Sequence, residues 1–287
     1  MDQSEIRQKI ASFPRWHYEF DLAGNLTPIY RKKWVARHRE RKRYFLQPTV
    51  DLFGGSHRGK RVLDLGCNAG FWSLAAAEAG ADFVLGVDGR QMHVDQANFV
   101  FEVKGIDKGR YQFAEGNVYD FDYAKYGEFD VVFCFGLLYH IAKPVTLIEL
   151  ISEVNTDVLV LDTGIVRGPG SFLRYRQEKM DDPRAAMEYE LVSSPTKGAV
   201  RDIVRNFGYQ VVCLKPQFTD YNGSLRYKNG YRRAFLGAKK TDLGRLKVPV
   251  EPWETPTHWT QAPVWFGYRM AEAARRAGIP GFRGPGT

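Results

Sequence analysis

The stretch "VLDLGCNAGFWSL", residues 62–74, decides the fold. In it an apolar run contains one acid, Asp64, and a turn bracketed by Gly66 and Gly70 leads into helix-forming residues. Glycine permits positive φ and lets the backbone approach a ligand closely. Since ligands of open parallel sheets lie beyond the carboxyl ends of the strands, the stretch predicts a strand, a tight turn, a helix and a small-molecule site.

The alternation of strands and helices continues as far as residue 240. Apolar runs of about five residues indicate strands that are covered on both faces, as in a parallel sheet. Helical segments between them indicate α/β architecture. We therefore expect a Rossmann-like, doubly wound, mostly parallel sheet of seven strands, at residues 61–66, 82–88, 110–116, 129–136, 157–164, 210–216 and 232–240.

Two segments flank this predicted sheet. Residues 1–60 read as an addition with a short helix to about residue 10, a strand at 16–22 and a basic helix. Residues 241–287 hold six of the 14 prolines and three of the six tryptophans and predict one short helix near 267–277. The expected organisation is a substrate-covering segment at 1–60, a ligand-binding domain at 61–240 and an extension at 241–287.

Composition excludes several classes of protein. The 287 residues are 44% hydrophobic and 26% charged, as is usual for globular chains. No apolar run approaches the roughly 18–20 residues of a membrane span, and the first residues lack a hydrophobic signal core. The three cysteines (Cys67, Cys134 and Cys213) show no metal-ligand spacing and fit a reducing compartment. We expect a cytoplasmic protein without a membrane partner or a metal site, of open oligomeric state.

The positive charge is concentrated in one segment. Of a net charge of +8, residues 31–43, "RKKWVARHRERKR", supply +7 through eight Lys/Arg and one acid, Glu40. A charge run on a helix is most often a solvated face. A lid or anion contact for a small-molecule substrate and a track for nucleic-acid phosphates are the two functional alternatives.

The glycine turn separates two kinds of ligand. A dinucleotide site requires G-x-G-x-x-G, because its pyrophosphate rests on a helix N-terminus. Here Gly66 and Gly70 are spaced G-x-x-x-G, and the middle glycine is absent. An acid next to the turn also suits a cationic ligand better than a pyrophosphate.

The pattern D-x-G-x-x-x-G resembles motif I of the class I S-adenosylmethionine-dependent methyltransferases. The resemblance implies S-adenosyl-L-methionine as the cofactor, with Asp64 orienting its ammonium group and the turn holding its amino-acid half. It also implies that Asp88 binds the ribose hydroxyls and that residues 117–118 clasp the adenine. The expected cofactor-binding residues are Asp64, Gly66, Cys67, Asn68, Gly70, Phe71, Asp88, Gly89, Arg90, Asn117, Val118, Phe135 and Tyr139.

Two later segments resemble a narrower group, the bacterial tRNA wobble-uridine carboxymethyltransferases. They are "FCFGLLYHIAKP", residues 133–144, and "NGYRRAFLGAKK", residues 229–240. In that group the residues matching Phe135 and Tyr139 contact the cofactor, and the residue matching Arg233 grips the extra carboxylate of a carboxylated donor. The chain departs from the group in its shorter N-terminal region and in its Pro/Trp-rich tail. A plain and a carboxylated donor both stay open.

Methyl transfer is an in-line displacement in which the enzyme mainly aligns the acceptor, the methyl group and the sulfur. An oxygen or nitrogen acceptor must also lose a proton, so a base is expected. His140 is the first catalytic candidate, because histidine titrates near neutrality; a purely structural histidine is the alternative. Asp162 is a second candidate for the base or an acceptor contact, and Tyr139 is expected to orient the cofactor or the substrate.

Two classes of acceptor compete. A small molecule such as a sugar or natural product would be covered by residues 1–60 and 167–180, with Trp34 and Arg233 as substrate contacts. A tRNA would need a phosphate track and stacking platforms. Because one basic helix is smaller than the fields typical of RNA enzymes, we favour the small molecule. The predicted RNA track is residues 31–43 with Arg226, Lys228, Arg232 and Arg233, and its platforms are Trp34, Tyr44 and Tyr227.

A binding module without activity is the third reading, because a fold alone does not prove catalysis. It requires a plugged acceptor pocket. The aromatic residues expected to plug it are Trp253, Trp259 and Trp265.

Overall fold

A computed structural model describes residues 1–178 and 191–253. The helices in these residues are α1 (Gln3–Ser12), α2 (Lys33–Arg41), α3 (Gln47–Leu52), α4 (Phe71–Glu78), α5 (Gln91–Val103), α6 (Pro144–Val154), α7 (Lys197–Asn206) and α8 (Leu225–Lys228). The strands are β1 (Asp21–Leu22), β2 (Asn25–Leu26), β3 (Arg61–Leu65), β4 (Phe83–Asp88), β5 (Tyr111–Glu115), β6 (Phe129–Phe135), β7 (Asn155–Gly164), β8 (Leu173–Gln177), β9 (Leu191–Pro195), β10 (Gln210–Leu214), β11 (Arg232–Ala238) and β12 (Val250–Glu251).

The main sheet has the strand order β12-β10-β11-β7-β6-β3-β4-β5. The five strands from β7 to β5 are parallel, and β11, β10 and β12 are antiparallel to their neighbours. The predicted Rossmann-like α/β sheet is confirmed. It has eight strands rather than seven, because the short strand β12 pairs with β10 at residues 213–214.

Both faces of the sheet are buried, as the uninterrupted apolar runs predict. Successive residues of one strand point to opposite faces. Val62 therefore packs in one hydrophobic cluster with α4, α5 and the N-terminal residues. Leu63 packs in the other cluster with α6 and α7. The two layers of helices hold the carboxyl ends of the strands at fixed spacing along one edge of the sheet.

The N-terminal residues pack against this core. Helix α1 begins with a capping box in which Asp2 accepts the backbone N–H of Glu5 and the Glu5 carboxylate accepts that of Asp2. The predicted strand at 16–22 is wrong except at Asp21–Leu22. Its aromatic residues instead pack against other rings, as Trp16 does against Phe99.

The structure adds elements that the sequence did not indicate. Strands β8 and β9 form an antiparallel pair outside the main sheet.

Trp253 stacks on Phe235, with ring planes 11° apart, and does not line the cavity described below. The predicted helix near 267–277, Trp259 and Trp265 lie outside the described residues. In the part of the chain that is described, no helix is long and apolar enough to cross a bilayer.

Candidate active site

A cavity of about 550 Å³ lies at the carboxyl ends of the parallel strands. This volume is within the range of roughly 300–1,000 Å³ that is typical of ligand pockets. One side, which we call the turn half, consists of the turn after β3, Asp88 to Arg90 and residues 116–119. The other side, which we call the arginine half, consists of the inner face of α2 and of Tyr139, Gly223, Ser224, Arg226, Tyr227 and Arg232.

The backbone shapes the turn half. Gly66 and Gly70 have φ of 67° and 76°, and Asn68 between them has φ of 50°. A Cβ on Gly70 would lie 3.0 Å from Cβ of Ala97 on α5, so glycine is required for close packing as well as for φ. Gly66 lines the cavity with bare backbone. The turn is thus a cradle that a side chain would fill.

Asp88 is the fixed acceptor of the turn half. It is buried, and its carboxylate accepts the backbone N–H groups of Asn68 and Arg90 at 2.9 and 3.1 Å. His93 Nδ1 donates to it at 2.8 Å, and Nε2 of that ring accepts the Asn68 amide at 3.0 Å. Three of the approximately four acceptor positions of a carboxylate are therefore occupied. The remaining position suits a ligand hydroxyl.

Three predicted cofactor contacts point away from the cavity. Asp64 is 1% exposed and accepts the Ser73 hydroxyl at 2.6 Å. Burial, which outweighs that hydrogen bond, raises the pKa of Asp64 to about 7. Cys67 is buried near Gly86, and Phe71 stacks on Tyr18 with ring centroids 4.6 Å apart. Asp64 is thus bonded to Ser73 on α4 and does not line the cavity, where it was predicted to face an ammonium group.

The other predicted cofactor residues lie where they were expected, and their roles stay predictions. Gly70 closes the turn behind the cavity wall, because its N–H donates to the Cys67 carbonyl at 3.0 Å. The remaining predicted residues line the cavity: Gly66, Asn68, Asp88, Gly89, Arg90, Asn117, Val118, Phe135 and Tyr139.

Tyr139 lies at the centre of the arginine half. Its hydroxyl oxygen accepts Nη1 of Arg232 at 3.2 Å, and the Arg226 guanidinium lies 5.8 Å from its ring centroid. Burial by itself raises the pKa of this phenol. Arg232, His140 and Arg37 outweigh burial and lower the pKa to about 6. Tyr139 is therefore disposed to be a phenolate near neutral pH.

Asp162 is not the free base that the sequence suggested. It is fully buried at 0% exposure, and its carboxylate accepts Arg41 Nη2 at 2.5 Å, Arg232 Nη2 at 2.7 Å and the Tyr227 hydroxyl at 2.6 Å. Burial alone raises the pKa of Asp162, but Arg232 and Arg41 hold it far below its usual range. Its role in the structure is to fix Arg232 against Tyr139.

Arg233 also differs from its predicted place, because successive residues of β11 alternate between faces. It donates to Glu251 at 2.8 Å and to the Tyr227 carbonyl at 2.7 Å, outside this cavity. Arg232 occupies the cavity instead. A cofactor- or substrate-binding role therefore fits Arg232 better than Arg233.

The predicted stacking platforms are buried. Trp34 is 6% exposed and packs beside His17. The Tyr44 hydroxyl donates to the Leu214 carbonyl, and Tyr227 is bonded to Asp162 as described above. None of the three offers an open ring face for a base, and Trp34 does not line the cavity as a substrate contact.

His140 is hydrogen-bonded to a carboxylate at the rim of the cavity. Its Nδ1 lies 2.5 Å from Oε2 of Glu178, and Arg176 donates to the other oxygen of that carboxylate at 3.1 Å. A carboxylate on Nδ1 fixes the tautomer and leaves Nε2 as a proton acceptor. The ring centroids of His140 and Tyr139 are 4.2 Å apart. The two rings can therefore act on one substrate group.

Two arginines on the cavity side of α2 were not singled out by the sequence. Arg37 and Arg41, one helical turn apart, line the cavity, whereas Arg39 is exposed. The i, i+4 spacing was the available signal, but the surrounding charge run hid it. His93, Glu178 and Ser224 had no sequence signal, because distant elements bring them to the site.

Among residues 1–178 and 191–253, no group of three or more His, Cys, Asp or Glu side chains is arranged to hold a metal ion. All three cysteines are free and buried.

Comparisons with known proteins agree with this geometry. Residues 56–164 match the family model of a methyltransferase domain. A ubiquinone biosynthesis O-methyltransferase of Bordetella avium is 28% identical over 178 residues, 60% of this chain and 65% of that protein. A tRNA U34 carboxymethyltransferase of Campylobacter hominis is 33% identical over 135 residues, 43% and 41% of the two chains. This chain therefore aligns with less than two thirds of each of these curated relatives.

A solved structure shares the fold. The N-terminal domain of EvdMO1, determined in the presence of SAH and D-fucose, is 22% identical with a TM-score of 0.65, over 83% of this chain and 97% of that domain. The domain match and the sheet order agree: residues 56–164 are similar to a methyltransferase domain, and the chain shares the Rossmann-like fold of that solved domain.

Proposed function

We propose that this chain transfers a methyl group from S-adenosylmethionine to an oxygen, or a nitrogen, of a small-molecule acceptor bound in the arginine half. One observation carries the proposal. Tyr139 lies inside the cavity, bonded to Arg232, with a pKa lowered to about 6 by its cationic neighbours although burial opposes this. A proton acceptor of that kind suits the removal of a proton from an acceptor hydroxyl.

The turn half fits the cofactor. The bare backbone at Gly66 admits the amino-acid portion, and the remaining acceptor position on Asp88 suits a ribose hydroxyl. Asn117 and Val118 line the wall where an adenine would rest. When bound, the cofactor supplies a methyl carbon activated by a sulfonium, whose loss leaves S-adenosylhomocysteine.

Residues of the cavity remove the proton from the acceptor hydroxyl. The Tyr139 phenolate oxygen accepts it from the substrate, and Arg232 stabilises the phenolate between turnovers. His140, held by Glu178, is the second proton acceptor, because its ring adjoins that of Tyr139. Helix α2 covers this side with Arg37 and Arg41 and excludes water from the reacting groups.

A tRNA acceptor, with a methyl or carboxymethyl group transferred to a wobble uridine, is the second candidate. It is supported by the likeness to tRNA U34 carboxymethyltransferases. Against it, the three aromatic residues predicted to stack on bases are buried. Single-strand recognition usually needs such exposed rings.

Calorimetry followed by a transfer assay tests the proposal. We expect S-adenosylhomocysteine to bind in the micromolar range and NAD to give no heat. With methyl-labelled donor, we expect label in hydroxylated small molecules rather than in bulk tRNA. The absence of heat from S-adenosylhomocysteine with folded protein would overturn the cofactor assignment, and label in tRNA alone would establish the second candidate.

A further inference from the structure

The arginines that line the cavity outside the turn half fall into two groups. Arg41 and Arg232 share the buried carboxylate of Asp162, and Arg176 pairs with Glu178. Among the described residues, neither Arg37 nor Arg226 has a carboxylate within ion-pair distance. Both line the cavity. The arginine half thus presents positive charge beyond what its own acids neutralise.

Arg37 is held in an unfavourable position. Its Nε is buried and has no hydrogen-bond partner in the part of the chain that the structure describes. Burial, together with the repulsion of Arg232 and Arg41, lowers the pKa of Arg37 to about 10. Burial and Arg232 lower the pKa of Arg226 in the same way. A partly desolvated cation without a carboxylate partner is unfavourable, so an anion within reach of both guanidinium groups would be favoured.

Ser224 supplies a third donor. It is 2% exposed and lines the cavity, and its hydroxyl has no hydrogen-bond partner among residues 1–178 and 191–253. A Cβ on the preceding Gly223 would lie 2.7 Å from the Lys33 carbonyl, so this loop presses against the start of α2. That contact holds Ser224 near the helix that carries Arg37, and Arg226 follows two residues later.

We propose that the acceptor is an anion whose carboxylate or phosphate is bound by Arg37, Arg226 and Ser224. The inference rests on the proposed function and narrows its substrate to hydroxylated acids or phosphate esters. A planar guanidinium binds either oxyanion through two parallel hydrogen bonds, and a serine hydroxyl completes the set. With the anion held there, a neighbouring hydroxyl of the acceptor faces Tyr139, whose ring lies 5.8 Å from the Arg226 guanidinium.

Matched pairs of ligands test the charge requirement without turnover. Calorimetry on protein saturated with S-adenosylhomocysteine compares 4-hydroxybenzoate with its uncharged methyl ester, and glucose 6-phosphate with glucose. We expect the anion of at least one pair to bind at least tenfold more tightly than its partner. Equal affinities within both pairs, or no binding of either anion at millimolar concentration, would overturn the proposal.

Variants separate the acceptor's anion from the carboxylate of the cofactor itself. Arg37→Gln and Arg226→Gln are each expected to abolish the preference for the anion. The affinity for S-adenosylhomocysteine should change less than threefold in either variant. The control Arg39→Gln, on the exposed side of α2, should leave the anion preference and the S-adenosylhomocysteine affinity unchanged. A tenfold loss of S-adenosylhomocysteine affinity with the anion preference intact would assign these arginines to the donor and overturn the proposal. Total failure of S-adenosylhomocysteine to bind the unaltered protein would instead contradict the proposed function.

Stability provides an independent measurement. Because Arg37 is half-buried and has no carboxylate within ion-pair distance among the described residues, Arg37→Gln is expected to leave the thermal midpoint of the ligand-free protein unchanged or to raise it. Phosphate at millimolar concentration should raise the midpoint of the unaltered protein but not that of the variant. A lower midpoint for Arg37→Gln, together with an unchanged response to phosphate, would show a structural arginine and contradict the proposal.

Discussion

The two halves of the cavity differ in how their polar groups are satisfied. In the turn half, the Asp88 carboxylate accepts hydrogen bonds from Asn68, Arg90 and His93, which lie close to it in the sequence or on the neighbouring turn. In the arginine half, Arg37 Nε and the Ser224 hydroxyl have no hydrogen-bond partner within residues 1–178 and 191–253. In the turn half, protein groups already make most of the hydrogen bonds, and a ligand adds to them. The arginine half is complete only with a ligand.

This difference shows where affinity and where specificity reside. Groups that are already positioned by nearby backbone hydrogen bonds do not depend on distant side chains to bind their ligand. Groups that depend on side chains from distant elements can change their ligand with few substitutions. The turn half is accordingly suited to an invariant cofactor, and the arginine half to one particular acceptor.

The largest expected effect is on the turn half. Asp88→Ala removes the acceptor for a ribose hydroxyl and frees the Asn68 and Arg90 N–H groups, so the affinity for S-adenosylhomocysteine should fall about 100-fold or more. Calorimetry measures it, with Asp95→Ala on the exposed side of α5 as the control. An unchanged affinity in Asp88→Ala would remove Asp88 from the cofactor site.

Tyr139→Phe tests the arginine half at its centre. We expect kcat to fall by about 100-fold, the lower end of the range for general-base catalysis, with little change in cofactor affinity. Because the pKa of Tyr139 is lowered to about 6, the rate of the unaltered protein should rise as pH increases through about 6 and be lost as pH falls below it. A rate–pH profile that keeps this rise in Tyr139→Phe would exclude the phenolate as the base.

His140→Ala should lower turnover at least tenfold, with little change in cofactor affinity, because the second proton acceptor is lost. Glu178→Gln should give a smaller loss, since it alters only the partner of Nδ1. Steady-state kinetics on both variants separate these effects. An unchanged rate in His140→Ala would leave the histidine a structural role.

The smallest effect is expected at Arg233. Its guanidinium is paired with Glu251 outside the cavity, so Arg233→Ala should change the KM for either substrate less than about threefold, as for a partly exposed ion pair. Arg232→Ala, its neighbour on β11, should abolish most activity. If instead Arg233→Ala removes activity on a carboxylated donor, the likeness to the carboxymethyltransferases extends to this residue.

The turn half could be predicted almost residue by residue. Gly66, Asp88 and Asn117 follow consecutive strands, and the strand ends of a parallel sheet meet at one edge. The strands themselves were predicted to within a few residues, because both faces of the sheet are buried and the runs are uninterrupted. Asp64, Cys67 and Phe71 were the exceptions, since sequence spacing does not tell whether a side chain next to the turn faces the ligand or the core.

The arginine half could not be predicted in this way. Arg37 comes from α2, Tyr139 follows β6, and Arg232 begins β11, so only the folded chain brings them together. On β11 the register decides between Arg232 and Arg233, and a shift of one residue exchanges their faces. Charge patterning identified the basic helix, but its inward face became visible only with Asp162 as the buried partner of Arg41.

The ion pair between Arg41 and Asp162 has a consequence for how such proteins are recombined. It joins α2 to β7 across the boundary at residue 56 where the family match begins. A chimera that replaces the first 55 residues would leave a buried carboxylate short of one cation, and breaking such a pair costs about 3–5 kcal/mol. Exchange of N-terminal segments between relatives would therefore transplant substrate choice only when the incoming segment brings its own inward-facing arginine.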